Sequence, residues 1–220
     1  MSNENFDLGN YPNLIAIPYA KTLNEKDPQR KDHQRICLEM ILAFNASVCL
    51  ENYYYYKTVD EGDDSKSKKD LKIGTDLKKL NFDLGMMSIG KWNQVTRDTA
   101  SVLFDATSKG KDNDFLVADI GSMYRNKGSV YNKNVNTLIS SRNQDAHGQI
   151  ISDEALEGEL KNRQKMLDQL MKEMSFYAAY KLIVPINDEV KESVLVHICK
   201  DLSGSGDAVI ELSDETLKTE

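Results

Sequence analysis

The sequence is poor in the residues that mark several common protein classes. It has three cysteines, Cys37, Cys49 and Cys199, an odd number whose spacing fits neither a zinc site nor a disulfide framework. Cys37 and Cys49 fall in an apolar helical pattern and read as buried free thiols, which points to a reducing, cytoplasmic setting. Four prolines and twelve glycines argue against a turn-rich all-β fold. No apolar run reaches the roughly 18 residues of a membrane-spanning helix. The opening "MSNENFDLGNYPNL" lacks the basic and apolar regions of a secretory signal. Basic residues number 28 against 35 acidic ones, and the resulting net charge of −7 argues against a protein whose main task is coating nucleic acid non-specifically. A local basic pocket for RNA is still compatible with it.

Chemical motifs are scarce as well. There is no Walker loop, HExxH or GxSxG. "SGSG" at 203–206 lacks the third glycine of a dinucleotide fingerprint. In "DEGDDSKSKKD" at 60–70 the glycine comes too early for an EF-hand, so the stretch reads as a solvated loop. No cofactor and no metal is expected.

What is present is mostly helical periodicity. The 220 residues suit one large domain, or one domain with a small appendage. Residues 1–27, with Pro12 and Pro18, read as an irregular N-terminal arm. A helical bundle follows over 28–182. Its first helix is expected at 28–57, capped by Asp27, with Ile36, Met40, Phe44 and Val48 at a four-residue step and Ile41 and Cys37 beside them. Further helices are expected at 75–82, 86–108, 113–125 and 129–147. A last one should run from a cap at Ser152 or Asp153 to about 182, with Leu156, Leu160, Leu167, Met171, Met174 and Ala178 inward. Trp92 reads as a core anchor. "YYYY" at 53–56 cannot share one helix face and divides between core and surface. Over 183–220 the β-branched runs "KLIVPI", "ESVLVHIC" and "DAVIEL" read as short strands, either an appendage or the start of a following domain. The fold class is therefore mainly α, a helical bundle with a small C-terminal β appendage.

One stretch stands out. In "SRNQDAHG" at 141–148, Asn143 and His147 are four apart and stack on one helical face, with Arg142 beside them. Gly148 suits the position just past a helix end. His147 in the last turn would be favoured in its protonated form by the helix dipole, and histidine titrates near neutrality. Arginine adds a planar fork that matches phosphate. The three make a phosphate-sized cluster, although a histidine there can simply cap carbonyls. His33, in "RKDHQR", reads as surface, and His197, in "VLVHIC", as structural. Tyr124, Arg125, Lys127, Tyr131 and Lys133 in "MYRNKGSVYNK", with Lys161 and Arg163 in "KNRQK", are candidate RNA contacts.

"RNQDAHG" resembles the R-x4–6-H signature of HEPN domains, with "NQDA" as spacer and a polar residue directly after the arginine. The resemblance covers about 28–182. HEPN domains are α-helical domains of prokaryotic toxins, abortive-infection systems and antiviral-defence ribonucleases. The resemblance implies a metal-independent endoribonuclease, a homodimer with two motifs facing each other, and an RNA substrate. By the same resemblance His147 would be general acid or base, Arg142 would grip the scissile phosphate, and Asn143 would orient one or the other. It also admits a non-catalytic HEPN-like dimerisation, sensing or RNA-binding module, and an antitoxin or defence-system partner protein.

Overall fold

The computed structural model describes residues 7–24, 26–61, 87–108, 117–125, 128–146, 152–180, 182–191, 194–204 and 208–213. At 52–61, 101–108, 117, 118, 125, 146 and 194 it describes the backbone alone. Among these residues six helices pack together: α1 (Asn13–Thr22), α2 (Arg30–Glu61), α3 (Ile89–Ser108), α4 (Val117–Arg125), α5 (Val130–Ala146) and α6 (Asp153–Glu173). Three strands follow, β1 (Ile183–Lys191), β2 (Val194–Asp201) and β3 (Ala208–Ser213), in an antiparallel sheet of order β1-β2-β3. A mainly helical fold with a small C-terminal sheet is thus what the chain adopts. The expected helix at 75–82 lies outside the described residues, as do the side chains of "YYYY" and all but the first two residues of the loop at 60–70. Those two, Asp60 and Glu61, continue α2.

The N-terminal arm is not irregular throughout. Residues 13–22 form α1 despite Pro18 in its interior. An interior proline removes a backbone hydrogen bond, so propensity alone predicts no helix here. Burial supplies the stability: Ile15, Ala16, Tyr19 and Thr22 are all buried, and full burial of a side chain of that size contributes about 1.5–3 kcal/mol. Tyr19 also donates from its hydroxyl to Asp168 Oδ1 of α6 at 2.8 Å.

α2 runs through the core on the side of the expected face that carries Cys37 and Ile41, and Ile36, Met40, Phe44 and Val48 lie at its margin. Cys37, Leu38, Ile41, Leu42, Asn45, Ala46 and Cys49 are buried, whereas Ile36 is 38% exposed. Phe44 and Val48 flank the core. Asp27 does serve the start of α2: its carboxylate accepts from the Gln29 amide at 2.8 Å and its carbonyl from the Arg30 amide at 3.0 Å. Helix begins two residues beyond the expected start. Trp92 packs against the core as expected. In α4 Ile120, Met123 and Tyr124 are buried; Phe115 and Leu116 lie outside the described residues. α5 turns Tyr131, Val135 and Leu138 inward and leaves Val130 48% exposed.

Ser152 caps α6, accepting from the Ala155 amide at 3.3 Å. α6 ends at Glu173, not near 182. A 3-10 turn, Ser175–Ala179, then leads toward β1 and buries Tyr177. The turn lets Tyr177 reach back into the bundle. Its hydroxyl donates to Asn45 Oδ1 at 2.7 Å, Asn45 Nδ2 donates to the Tyr131 hydroxyl at 2.8 Å, and the Tyr131 and Tyr124 hydroxyls lie 3.3 Å apart. Burial pushes the Tyr131 hydroxyl up to about 12, against the lowering effect of its bonds with Tyr124 and Asn45. The Cys49 thiol is likewise pushed by burial to about 12, so at neutral pH it is an inert thiol. All three cysteines are free and buried.

The sheet is tied to the N-terminal segment. Pro12 bridges Ser203, the Asn13 amide donates to the Leu202 carbonyl at 2.7 Å, and the Gly204 amide donates to the Tyr11 carbonyl at 2.6 Å. Gly204 has φ +63, and a Cβ there would stand 2.8 Å from Gly9 Cα. Only glycine suits both the left-handed backbone and the close approach.

Candidate functional site

Residues 142–146 of the motif end α5, which packs antiparallel to α6. Asn134 donates to Gln169 at 2.7 Å near one end, and Ser141 donates to Glu159 at 2.6 Å near the other. Arg142 is half-buried and Asn143 exposed. The Arg142 guanidinium donates to Asn143 Oδ1 at 3.2 Å, so two of the three predicted site residues are in contact at the surface. His147 lies outside the described residues, as do Gly148, Lys127 and the side chain of Arg125.

Asp145, inside the motif, is held by two cations. Lys31 of α2 approaches one carboxylate oxygen at 2.8 Å and Arg163 of α6 the other at 2.7 Å. Partial burial alone would raise its pKa. The hydrogen bonds and charges of Arg163 and Lys31 outweigh that and hold the carboxyl below its ordinary range. Arg163 also reaches Glu159, four residues earlier on α6. Glu159 is in turn held below its ordinary range, first by the Ser141 hydroxyl and then by Arg163, against partial burial. Ser141, Glu159, Arg163 and Asp145 thus form a continuous chain of side-chain contacts, two residues from each helix. Burial would lower the Arg163 pKa, but the two carboxylates raise it, so the guanidinium stays charged.

These positions correct several sequence expectations. Tyr124 and Tyr131 are 2% and 0% exposed and hydrogen-bonded to each other. They are core residues with no ring face free for a base. Arg163 is 4% exposed with its terminal nitrogens committed to Asp145 and Glu159, so it is not a surface RNA contact. Lys161 is at the surface, paired with Glu157 at 3.3 Å, and Lys133 is exposed. His33 is half-buried rather than fully at the surface, with Asp27 3.3 Å away. His197 pairs across strands with Asp188 at 2.8 Å, as befits a structural role.

Sequence reasoning passed over Lys31, Ser141 and Glu159. The Glu159–Arg163 spacing on α6 was the available signal, since side chains four apart on a helix meet. The arrangement's chemical capacity is specific. Arg142 presents a cationic fork beside an exposed amide, and Asp145, the nearest acidic residue in sequence, has its charge offset by Lys31 and Arg163. An anion with several oxygens, phosphate above all, suits such a site. Among the described residues no three His, Cys, Asp or Glu side chains gather as around a metal ion, and no helix is long and apolar enough to cross a membrane. No protein-family model matches the chain, and comparison with curated proteins and with solved structures finds no match.

Proposed function

We propose that this chain is a metal-independent endoribonuclease of a bacterial defence or toxin system, working as a homodimer with HEPN-like motifs. The observation that carries the reading is the Arg142–Asn143 pair, side by side at the end of a bundle helix, with Asp145 neutralised behind it. In the proposed step the ribose 2′-oxygen attacks the adjacent phosphorus and the P–O5′ bond breaks. His147 of one copy takes the 2′-hydroxyl proton, and the protonated His147 of the second copy delivers one to the departing 5′-oxygen. Arg142 binds the non-bridging oxygens, and Asn143 orients the phosphate. The products are a 2′,3′-cyclic phosphate and a 5′-hydroxyl. General acid–base catalysis contributes about 10²–10⁴-fold, and a preorganised donor to the developing charge about 10²–10³-fold.

The test is RNA cleavage by purified protein in excess EDTA, with end-group analysis. Arg142→Ala and His147→Ala should each lower the rate at least about 100-fold while leaving the circular dichroism spectrum unchanged. Cleavage that survives both substitutions refutes the assignment.

A second reading, a non-catalytic interaction module on the same kind of scaffold, is favoured by a different observation. The sheet exposes Val184, Ile186, Val190, Leu195 and Val209, from 40% to 73% of each residue. The register places Val190 opposite Leu195 on one face and Val184 and Val209 beside Lys200 on the other, so exposed apolar residues lie on both faces, and such residues are the raw material of a binding surface. Absence of cleavage together with retained RNA or protein binding would select this reading.

A further inference from the structure

The inward side of α6 follows a heptad seam: Leu156, Leu160, Arg163, Leu167, Leu170 and Met174 recur at alternating steps of four and three. Leu160, Leu167, Leu170 and Met174 are all buried. Arg163 occupies the third position of this seam and is itself 4% exposed. A leucine there would continue the apolar packing. Replacing a buried ion pair by apolar residues of similar volume is often neutral or stabilising by about 1–4 kcal/mol. The guanidinium is buried while Asp145 and Glu159 keep 21% and 33% exposure, so an apolar residue here is expected to cost little or no stability; among the described residues its Nε has no hydrogen-bond partner.

What Arg163 does accomplish is geometric. Through Asp145 and, by way of Glu159, Ser141, it holds α5 on both sides of Arg142. Ser141 and Asp145 are four apart and share one face of α5, so the turn that carries Arg142 and Asn143 is fixed from its inner side. Lys31 adds a third anchor from α2. We propose that Arg163 is a positioning residue: it sets the rotation and height of the last turns of α5, and thereby the placement of the Arg142 fork. This rests on the reading of Arg142 as the phosphate-binding group.

The decisive variant restores the apolar seam and removes the carboxylates that would be stranded: Arg163→Leu with Asp145→Asn and Glu159→Gln. It should unfold at the same temperature as the unaltered chain or higher. Its kcat for RNA should nevertheless fall about 10–100-fold, because misplacing a positioned group by ~1 Å costs up to about 10² in rate. Amide hydrogen exchange at 142–145 should quicken at least tenfold, while exchange at 41–45 in α2 stays unchanged. Arg163→Lys, a point charge without the fork, should fall between the two in kcat. A seam variant with undiminished kcat and unaltered exchange at 142–145 overturns the proposal. So does a loss of activity that only tracks a lower melting temperature. If the unaltered chain cleaves no RNA, the nuclease reading fails, and the exchange measurement alone decides the positioning role.

Discussion

The buried hydroxyl–amide chain through Asn45 makes a quantitative prediction. Asn45 is fully buried on α2 and links Tyr177, after α6, with Tyr131 of α5. In Asn45→Ala the Tyr177 hydroxyl loses its acceptor and is left as an unpaired buried donor, which costs about 1–3 kcal/mol. The Tyr131 hydroxyl retains Tyr124 as a partner at 3.3 Å. Adding the small cavity left by the side chain, about 1 kcal/mol, the expected loss is about 2–4 kcal/mol. Tyr177→Phe should cost about 1–3 kcal/mol, because Asn45 Oδ1 is stranded instead. The double variant strands neither group, so it should cost less than the two single losses together, by a coupling energy within about 0.5–3 kcal/mol. Trp92, the single tryptophan, packs against the core and reports unfolding by fluorescence. In urea, with a slope near 3 kcal/mol per molar, a loss of 2 kcal/mol lowers the midpoint by about 0.7 M. Single losses that add to within about 0.3–0.5 kcal/mol would refute the coupling, and with it this account of how three elements are held in register.

Two further perturbations test other parts of the structure. Gly204→Ala forces a left-handed backbone at about 1–2 kcal/mol and drives a methyl into Gly9; amide exchange at Asn13 and Gly204 should quicken, and unchanged exchange would count against the tie. Asp145 and Glu159 both have lowered pKa values in the fold, so they add stability above their unfolded pKa near 4 that is lost as pH falls through their folded values. The urea midpoint should therefore drop between about pH 5 and pH 3, and the drop should shrink in Asp145→Asn/Glu159→Gln.

The helices of the bundle were legible because apolar residues recur at helical spacing, and the strands because β-branched runs alternate with polar turns. The failures have physical causes. α1 was hidden by Pro18, since the burial of Ile15 and Tyr19 that outweighs it is a tertiary effect. On α2 the buried positions Cys37 and Ile41 are legible, but the centre of the face is not, because a polar residue, Asn45, sits there while Ile36 lies outside. The same preference for counting only apolar residues conceals Arg163 in the α6 seam, while the basic neighbours of Tyr124 and Tyr131 make two core tyrosines look like surface contacts. The end of α6 was overrun because "SFYAA" continues an apolar pattern while its backbone tightens into a 3-10 turn. Of the candidate site, the contact between Arg142 and Asn143 followed from adjacency. The Lys31 and Arg163 anchors did not, because they come from helices distant in sequence.

The tie between the N-terminal segment and the rest of the fold bears on the order of assembly. The Tyr11 hydroxyl bonds to the Met171 carbonyl across 160 residues, and the adjoining Pro12 bridge reaches still further along the chain. Closing a loop of that size from an unfolded chain carries a length-dependent entropy cost of about 4.5 kcal/mol. That cost falls steeply once α2, α5 and α6 have brought the intervening chain together. Residues 7–13 are therefore expected to close last, over a bundle already assembled. Contacts formed that late should act as a latch, so that loosening them speeds the escape of the sheet more than it slows its arrival.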